Sequence, residues 1–364
     1  MNKTNLHLDV NQAILRKCVS EHLQLSLTGK KLNWNVEPVT SEINFTTKGI
    51  YRVFGTVDNE IEWSLILKIL QEVEDKLDPQ HHNYWKREAL VLTSTVLDQF
   101  NNIFNVPNCF HIECKEDRTI WLWMEEVKSH RTRLVSSGDL ATLAYTLGKF
   151  NGSYIQNSHD SNSFPWICRS WLASWTKSSQ HYAIQVENYT HQLDPILKEI
   201  VDAFMVLRGN LANDIASLKD LPQVLAHQDL SKGNVFISGK KLTLIDWQFM
   251  SYSGLGEDLG KMFGVMLSQG IIPRLEAEEY REQLLEYYTK GLRDAGWQGD
   301  KNLLKYGFYL SFSVRSVWEV PKLVEWSLEG KFDRAFQQLL AIVQFQLKTY
   351  DDVHTLGFSY KKQP

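Results

Sequence analysis

The hydrophobic positions of this chain follow two different rhythms. Up to about residue 125 they mostly alternate with polar ones, the period of strands with one buried face. Residues 42–47 and 50–57 alternate around Lys48-Gly49, 57–60 reads as a turn, and 61–70 is the next apolar run. Two further strands are expected at 107–111 and 119–124. One stretch departs from this: over 83–100, Trp85, Ala89, Leu92, Val96 and Leu97 recur at helical spacing. The expected unit is a small antiparallel sheet carrying one long helix.

From about Ser136 the spacing turns helical, over 140–155, 196–218, 259–267, 276–295, 303–317 and 332–348. Short strands at 224–226, 235–238 and 242–245 interrupt the helices, the last two split by Gly239-Lys240-Lys241. The pattern contains no internal repeat and no low-complexity linker. An α+β, two-lobed layout is expected. Its N-terminal lobe spans 1–127 and ends in a hinge near 125–129; its larger, mainly helical C-terminal lobe spans 128–364.

Composition narrows the function classes. At 364 residues and 43% hydrophobic, the chain has ample apolar material for a core. A net charge of -4 without a long Lys/Arg run argues against nucleic acid as a partner. The apolar run 65–67 is cut by Lys68, and no stretch reaches membrane-spanning length, so no membrane partner is expected. The first ten residues lack the apolar core of a signal peptide, and the four scattered cysteines fit reduced thiols. A cytoplasmic location is therefore expected. Cys109, His111 and Cys114 read as positions along a strand rather than as metal ligands.

The segment His227-Gln228-Asp229-Leu230-Ser231-Lys232-Gly233-Asn234 carries the strongest chemical signal, with Ile245-Asp246-Trp247 after the next hairpin. An Asx-rich turn would explain the first group alone, but not a second acid at the end of that hairpin. Two carboxylates and an amide at strand-to-loop boundaries suit metal-assisted phosphoryl transfer. Asp229 could accept a hydroxyl proton while Asn234 and Asp246 hold the metal. His227 is placed as an organiser of the loop, bonded to backbone near Asp246. Upstream, Lys68 interrupts an apolar strand, where a lysine is costly unless paired. Glu88 on the following helix is the candidate partner; an edge lysine snorkelling to water is the alternative.

With these residues the chain resembles the aminoglycoside phosphotransferase and choline kinase superfamily, small-molecule kinases with a protein-kinase-like fold. The matching landmarks are Tyr51-Arg52-Val53, Lys68, Glu88, Leu122-Trp123-Met124-Glu125-Glu126-Val127, His227-x-Asp229 with Asn234, Ile245-Asp246-Trp247 and Gly256-Glu257-Asp258-Leu259-Gly260. The resemblance implies ATP or GTP between the lobes, with Lys68 on its phosphates and Glu88 orienting Lys68. It implies adenine bonded to backbone around Glu125 and Val127, with Met124 at the back of that pocket. It makes Asp229 the catalytic base, Asn234 and Asp246 the magnesium ligands, and Asp258 a support for the catalytic loop. Helix N-capping accounts for Asp258 equally well.

The family pattern is not complete. The phosphate-covering loop Asn44-Phe45-Thr46-Thr47-Lys48-Gly49 has one glycine, leaving backbone amides and the Thr46 and Thr47 hydroxyls to contact phosphates. Only eleven residues separate Asp246 from Asp258, little room for a peptide-docking segment, which disfavours a protein kinase. The expected acceptor is the hydroxyl of a small molecule: an aminoglycoside-like antibiotic, another secondary metabolite, a nucleoside or sugar, or an amino alcohol. A non-catalytic nucleotide-binding scaffold is the reading from another class. Trp166, Trp171 and Trp175 are spaced to share a helix face near the substrate, with core packing as the competing account.

Overall fold

Alternation in the first third builds an antiparallel sheet whose inner face packs on a helix, as seen in a computed structural model. It describes residues 8–39, 44, 46–127, 132–133 (backbone only), 136–157, 163–239 and 241–355. In chain order the elements begin α1 (Gln12–Leu23), β1 (Leu32–Pro38), β2 (Thr47–Val57), β3 (Ile61–Gln71), α2 (Arg87–Thr93), β4 (Cys109–Cys114) and β5 (Thr119–Glu125). They continue β6 (Thr132–Arg133), α3 (Ser137–Gln156), α4 (Trp171–Tyr182), α5 (Pro195–Lys219), β7 (Gln223–Ala226), β8 (Val235–Ser238), β9 (Lys241–Leu244) and β10 (Ser251–Gly254). The chain then runs through α6 (Glu257–Ser268), α7 (Ala277–Asp294), α8 (Lys301–Val314), α9 (Ser316–Leu328) and α10 (Arg334–Thr355). The five-stranded sheet has the order β1-β2-β3-β5-β4, and the helices of the larger lobe carry two small sheets, β6-β8-β9 and β10-β7. The α+β, two-lobed layout read from the pattern is thus present.

Several elements differ from the pattern, each for a local reason. α1 and β1 were not expected. Asn11 caps α1 through its side-chain oxygen, and Leu15, Cys18 and Val19 bury against Val53, Val57 and Trp63 of the sheet. Lys48-Gly49 does not turn the chain: β2 runs straight through it, with a bulge between Thr47 and Gly49. The long helix over 83–100 is only α2. The Thr93 and Ser94 hydroxyls bond back to the Ala89 and Val91 carbonyls, and Ser94 turns extended. The helix over 303–317 breaks at Arg315 into α8 and α9, and α9 continues through Pro321, a residue that reads as a breaker.

Packing does not follow the order of the sequence. Val91, Val96, Leu97, Phe100 and Phe104 belong to the main core of the larger lobe, although they precede β4. Asn105 bonds Leu242 O at 2.8 Å and accepts from Leu244 N at 2.9 Å, beside the β8–β9 hairpin. Phe104 stacks on Trp247 at 5.5 Å and meets Phe150 edge-on. This wedge fixes the hairpin that carries Asp246.

Two glycines let α3 and α7 approach closely enough to support the loop containing Asp229. A Cβ at Gly148 would sit 2.1 Å from Tyr288 O, and one at Gly291 2.1 Å from Tyr145 O. That approach brings Tyr288 Oη to Asn151 Oδ1 at 2.7 Å, while Asn151 Nδ2 donates to Leu225 O on β7 at 2.8 Å. Among the described residues no helix is long and apolar enough to cross a membrane.

Candidate active site

Lys68 sits on β3 between Ile50 and Leu122 of the neighbouring strands, so its side chain leaves the sheet on the α2 side. Its ammonium lies 2.6 Å from Glu88 Oε2 and 2.8 Å from Asp246 Oδ1. Lys68 and Glu88 are almost fully buried, so the ion pair is shielded from solvent. Burial works against the Lys68 ammonium, but Asp246 and then Glu88 outweigh it and hold its pKa above the ordinary lysine value. The Glu88 carboxyl is pushed up to about 7 by burial and by Asp246, with Lys68 opposing. One cation therefore ties the small sheet, α2 and the β8–β9 hairpin together.

The loop around Asp229 is held largely by side chains that bond its backbone. Asp258, the second residue of α6, accepts His227 N at 2.7 Å and Gln228 N at 3.0 Å, one on each carboxylate oxygen. It caps nothing in its own helix, whose N-cap is Gly256, so loop support is what its side chain does. His227 Nε2 lies 3.0 Å from Ile245 O, and His227 Nδ1 accepts Asp229 N at 3.1 Å. A carbonyl only accepts and an amide N–H only donates, which makes the ring a neutral Nε2–H tautomer. Asn234 Nδ2 donates to Asp229 O at 3.0 Å and Asp229 Oδ2 at 2.9 Å, and Ile245 N donates to Asn234 O. Asp229, Asn234 and Asp246 are thereby brought to one place. Burial raises the Asp229 pKa, with Lys261 as the leading opposing charge.

His227 makes the site pH-sensitive in one direction. Burial pulls its pKa down from 6.5 to about 4. Unfolded chains thus take up a proton near 6.5 that the folded ring refuses until about 4, so stability present above 6.5 is lost as pH falls toward 4. A His227→Gln variant should show a shallower loss of its unfolding midpoint across that window than the parent. Equal slopes in urea titrations at matched pH would contradict the assignment.

Asn234 Oδ1 and the Asp246 carboxylate are hard oxygen donors of the kind magnesium takes alongside phosphate oxygens. Asn234 Nδ2 is committed to Asp229, which leaves Oδ1 as its available donor atom, and the donor set fits such an ion. Asp246 has φ 64, left-handed for a non-glycine residue, and Gln248 Nε2 reaches back to its Oδ2 at 3.3 Å. Asn44 in turn donates to Gln248 Oε1 at 2.6 Å, joining the loop before β2 to the Asp246 turn.

Met124 lines the Leu70–Trp85–Leu122 cluster beside the hinge. Glu125 uses its N–H and carboxylate on Asn108; Val127 N–H has no bonded partner among the described residues. Thr46 and Thr47 correct the expectation that their hydroxyls face phosphates. Both side chains are buried, and Thr46 Oγ1 is spent on Asn44 and Asn83, because the strand folds them inward at the bulge. Phe45 lies outside the described residues.

The tryptophans also separate. Trp171 and Trp175 stack at 5.6 Å on α4, but Trp166 precedes that helix and pairs with Phe164. Trp171 is buried in the main core, so a helix face shared by all three near the substrate is not formed.

Pattern reading passed over two residues next to this machinery. The Arg87 guanidinium is wholly buried and donates to the carbonyls of Pro79, His81, His82, Trp166 and Gln248. Lys261 donates to Gln228 O. The signal for Lys261 was the one that singled out Lys68: a lone lysine inside an apolar run, here Leu259-Gly260-Lys261-Met262-Phe263. Arg87, between Lys86 and Glu88, offers no such signal.

A buried lysine–glutamate pair in the small lobe, bridged by the lysine to a carboxylate of the larger lobe beside an amide and a second carboxylate, defines a kinase-like phosphotransferase. The chain belongs to the phosphotransferase enzyme family (APH), whose model matches residues 56–300. Amicoumacin kinase hAmiN, solved with AMP-PNP, Ca2+ and Ami, has a similar fold at a TM-score of 0.55 and 16% identity, covering 87% of this chain and 88% of that one. Choline kinase from Cryptosporidium parvum Iowa II aligns at 0.56 and 15% identity, over 95% and 96% of the two chains. A Plasmodium vivax ethanolamine kinase aligns at 0.51 and 13%, over 86% and 82%. No curated protein sequence matches significantly.

Proposed function

We propose that this chain transfers the γ-phosphoryl group of ATP or GTP to a hydroxyl of a small molecule, with magnesium. The observation that carries this reading is the Lys68 ammonium held by Glu88 and Asp246 at 2.6 and 2.8 Å, the charge arrangement a nucleoside triphosphate needs between two lobes. Asn234 and Asp246 would hold the ion, which when bound neutralises charge on the phosphate oxygens. Lys68 binds the nucleotide phosphates and Glu88 keeps it aimed. Asp229 takes the proton from the acceptor hydroxyl as that oxygen attacks phosphorus, and the nucleoside diphosphate leaves. Glu125 O and Val127 N–H offer the base its acceptor and donor, against Met124. The acceptor is a secondary metabolite, aminoglycoside-like antibiotic, nucleoside, sugar or amino alcohol. The eleven-residue path from Asp246 to Asp258 favours these over a peptide.

The test couples ADP or GDP release to a panel of those hydroxylated compounds, with product mass read out. One member at least should be phosphorylated in a magnesium-dependent way. Absence of both nucleotide binding and turnover across the panel would leave a scaffold on a kinase fold.

A further inference from the structure

Lys261 is the unusual cation of the larger lobe. It lies on α6, where nearly every side chain is buried, and is itself only 8% exposed. Among the described residues its ammonium makes no ion pair; it donates to Gln228 O and lies 3.5 Å from the centroid of the Trp171 ring and 4.7 Å from that of Phe249. Burying an ammonium with so few partners is costly, and aromatic faces offset only part of that. The residue it touches is also unusual. Gln228 has φ 63, in the left-handed region, immediately before Asp229. Its N–H goes to Asp258 at 3.0 Å and its side-chain amide to Ser253 Oγ at 2.8 Å, leaving the carbonyl to Lys261. A side-chain-bearing residue keeps such a conformation only where its surroundings impose it.

We propose that Lys261 is a positioning residue for phosphoryl transfer: braced on Trp171 and Phe249, it holds Gln228 left-handed and so aims the Asp229 carboxylate. This rests on the reading of Asp229 as the base. Lys261 itself never meets substrate; it acts through the carbonyl one residue upstream. Burial pulls its pKa down to about 7, and the Asp229 carboxylate it helps to place is the leading charge in the opposite sense.

The experiment measures ADP release from magnesium-ATP with water as acceptor, for the full chain. Lys261→Met should lower kcat by about 10²-fold, the cost of a misplaced catalytic group, with ATP affinity unchanged within about twofold. Glycine takes positive φ without strain, so adding Gln228→Gly to Lys261→Met should restore about tenfold of that loss. Hydrogen exchange at the Gln228 and Asp229 amides should quicken in Lys261→Met, while exchange along α6 stays unchanged. Full activity in Lys261→Met, with Asp229→Asn inactive alongside, would overturn the proposal and leave the base reading standing. Activity in Asp229→Asn would instead remove the base reading. Amide exchange then judges Lys261 alone, and unchanged protection at Gln228 and Asp229 overturns its role. If ATP affinity and the melting temperature fall together with kcat and glycine restores nothing, Lys261 merely supports the fold and the proposal is again overturned.

Discussion

Asp229→Asn is expected to lower phosphotransfer by about 10³-fold while nucleotide affinity changes little. Asparagine keeps the shape of the side chain and an oxygen for Asn234 Nδ2, now 2.9 Å from Asp229 Oδ2. The loop scaffold made by Asp258 and His227 acts on backbone atoms, and it is untouched by the exchange. Only proton acceptance is removed. The ion pairs of Lys68 with Glu88 and Asp246 remain in place. Single-turnover transfer from magnesium-ATP and an independent nucleotide titration separate the two quantities. A variant retaining about a tenth of parental transfer would exclude general-base catalysis by this carboxylate.

Arg87→Leu should unfold the protein more readily than any exposed substitution, by about 3–5 kcal/mol. The guanidinium is buried among five backbone carbonyls, and burial lowers its pKa only to about 10, so it remains charged at neutral pH. Leucine would fill much of the volume and satisfy none of the carbonyls, each of which costs about 1–3 kcal/mol when left dry. The damage would spread, because those carbonyls belong to the turn before α2, the segment before α4 and the turn after Asp246. Arg87→Lys should recover little, since an ammonium lacks the planar fork that reaches several carbonyls at once. Urea unfolding of both variants checks this. A loss below about 1 kcal/mol would show that water replaces the guanidinium.

What the sequence made legible was whatever local chemistry punishes when misplaced. Lys68 in an apolar strand demanded a partner, and Glu88 stood one helix away; the pair is there at 2.6 Å. Asp229, Asn234 and Asp246 had to converge if the short strands paired as a hairpin, and β8 and β9 do pair. Elements whose stability comes from distant packing were not legible. α1 is polar enough to pass for coil until the sheet covers Leu15 and Val19. α9 runs past the expected helix end at 317 and through Pro321, and the main core keeps it helical, burying Val317, Val320 and Leu323. Thr46 and Thr47 were assigned by position in a loop, but the bulge that turns them inward has no signature in residue type. Gln228 was unreadable for the same reason: nothing in glutamine announces positive φ.

Phe100, Phe104 and Asn105 carry one more consequence. They precede the hinge in sequence yet pack in the larger lobe's core, after which the chain returns to the sheet as β4 and β5. The backbone therefore passes between the lobes three times rather than once. Two bodies joined by a single strap can swing about it in any direction. Two bodies stitched in this way share a seam, and the turn bearing Asp246 lies along it. Such a protein has no detachable small lobe: that lobe is not a cassette that recombination could graft onto a different helical partner, because part of the larger lobe's interior is encoded upstream of the join.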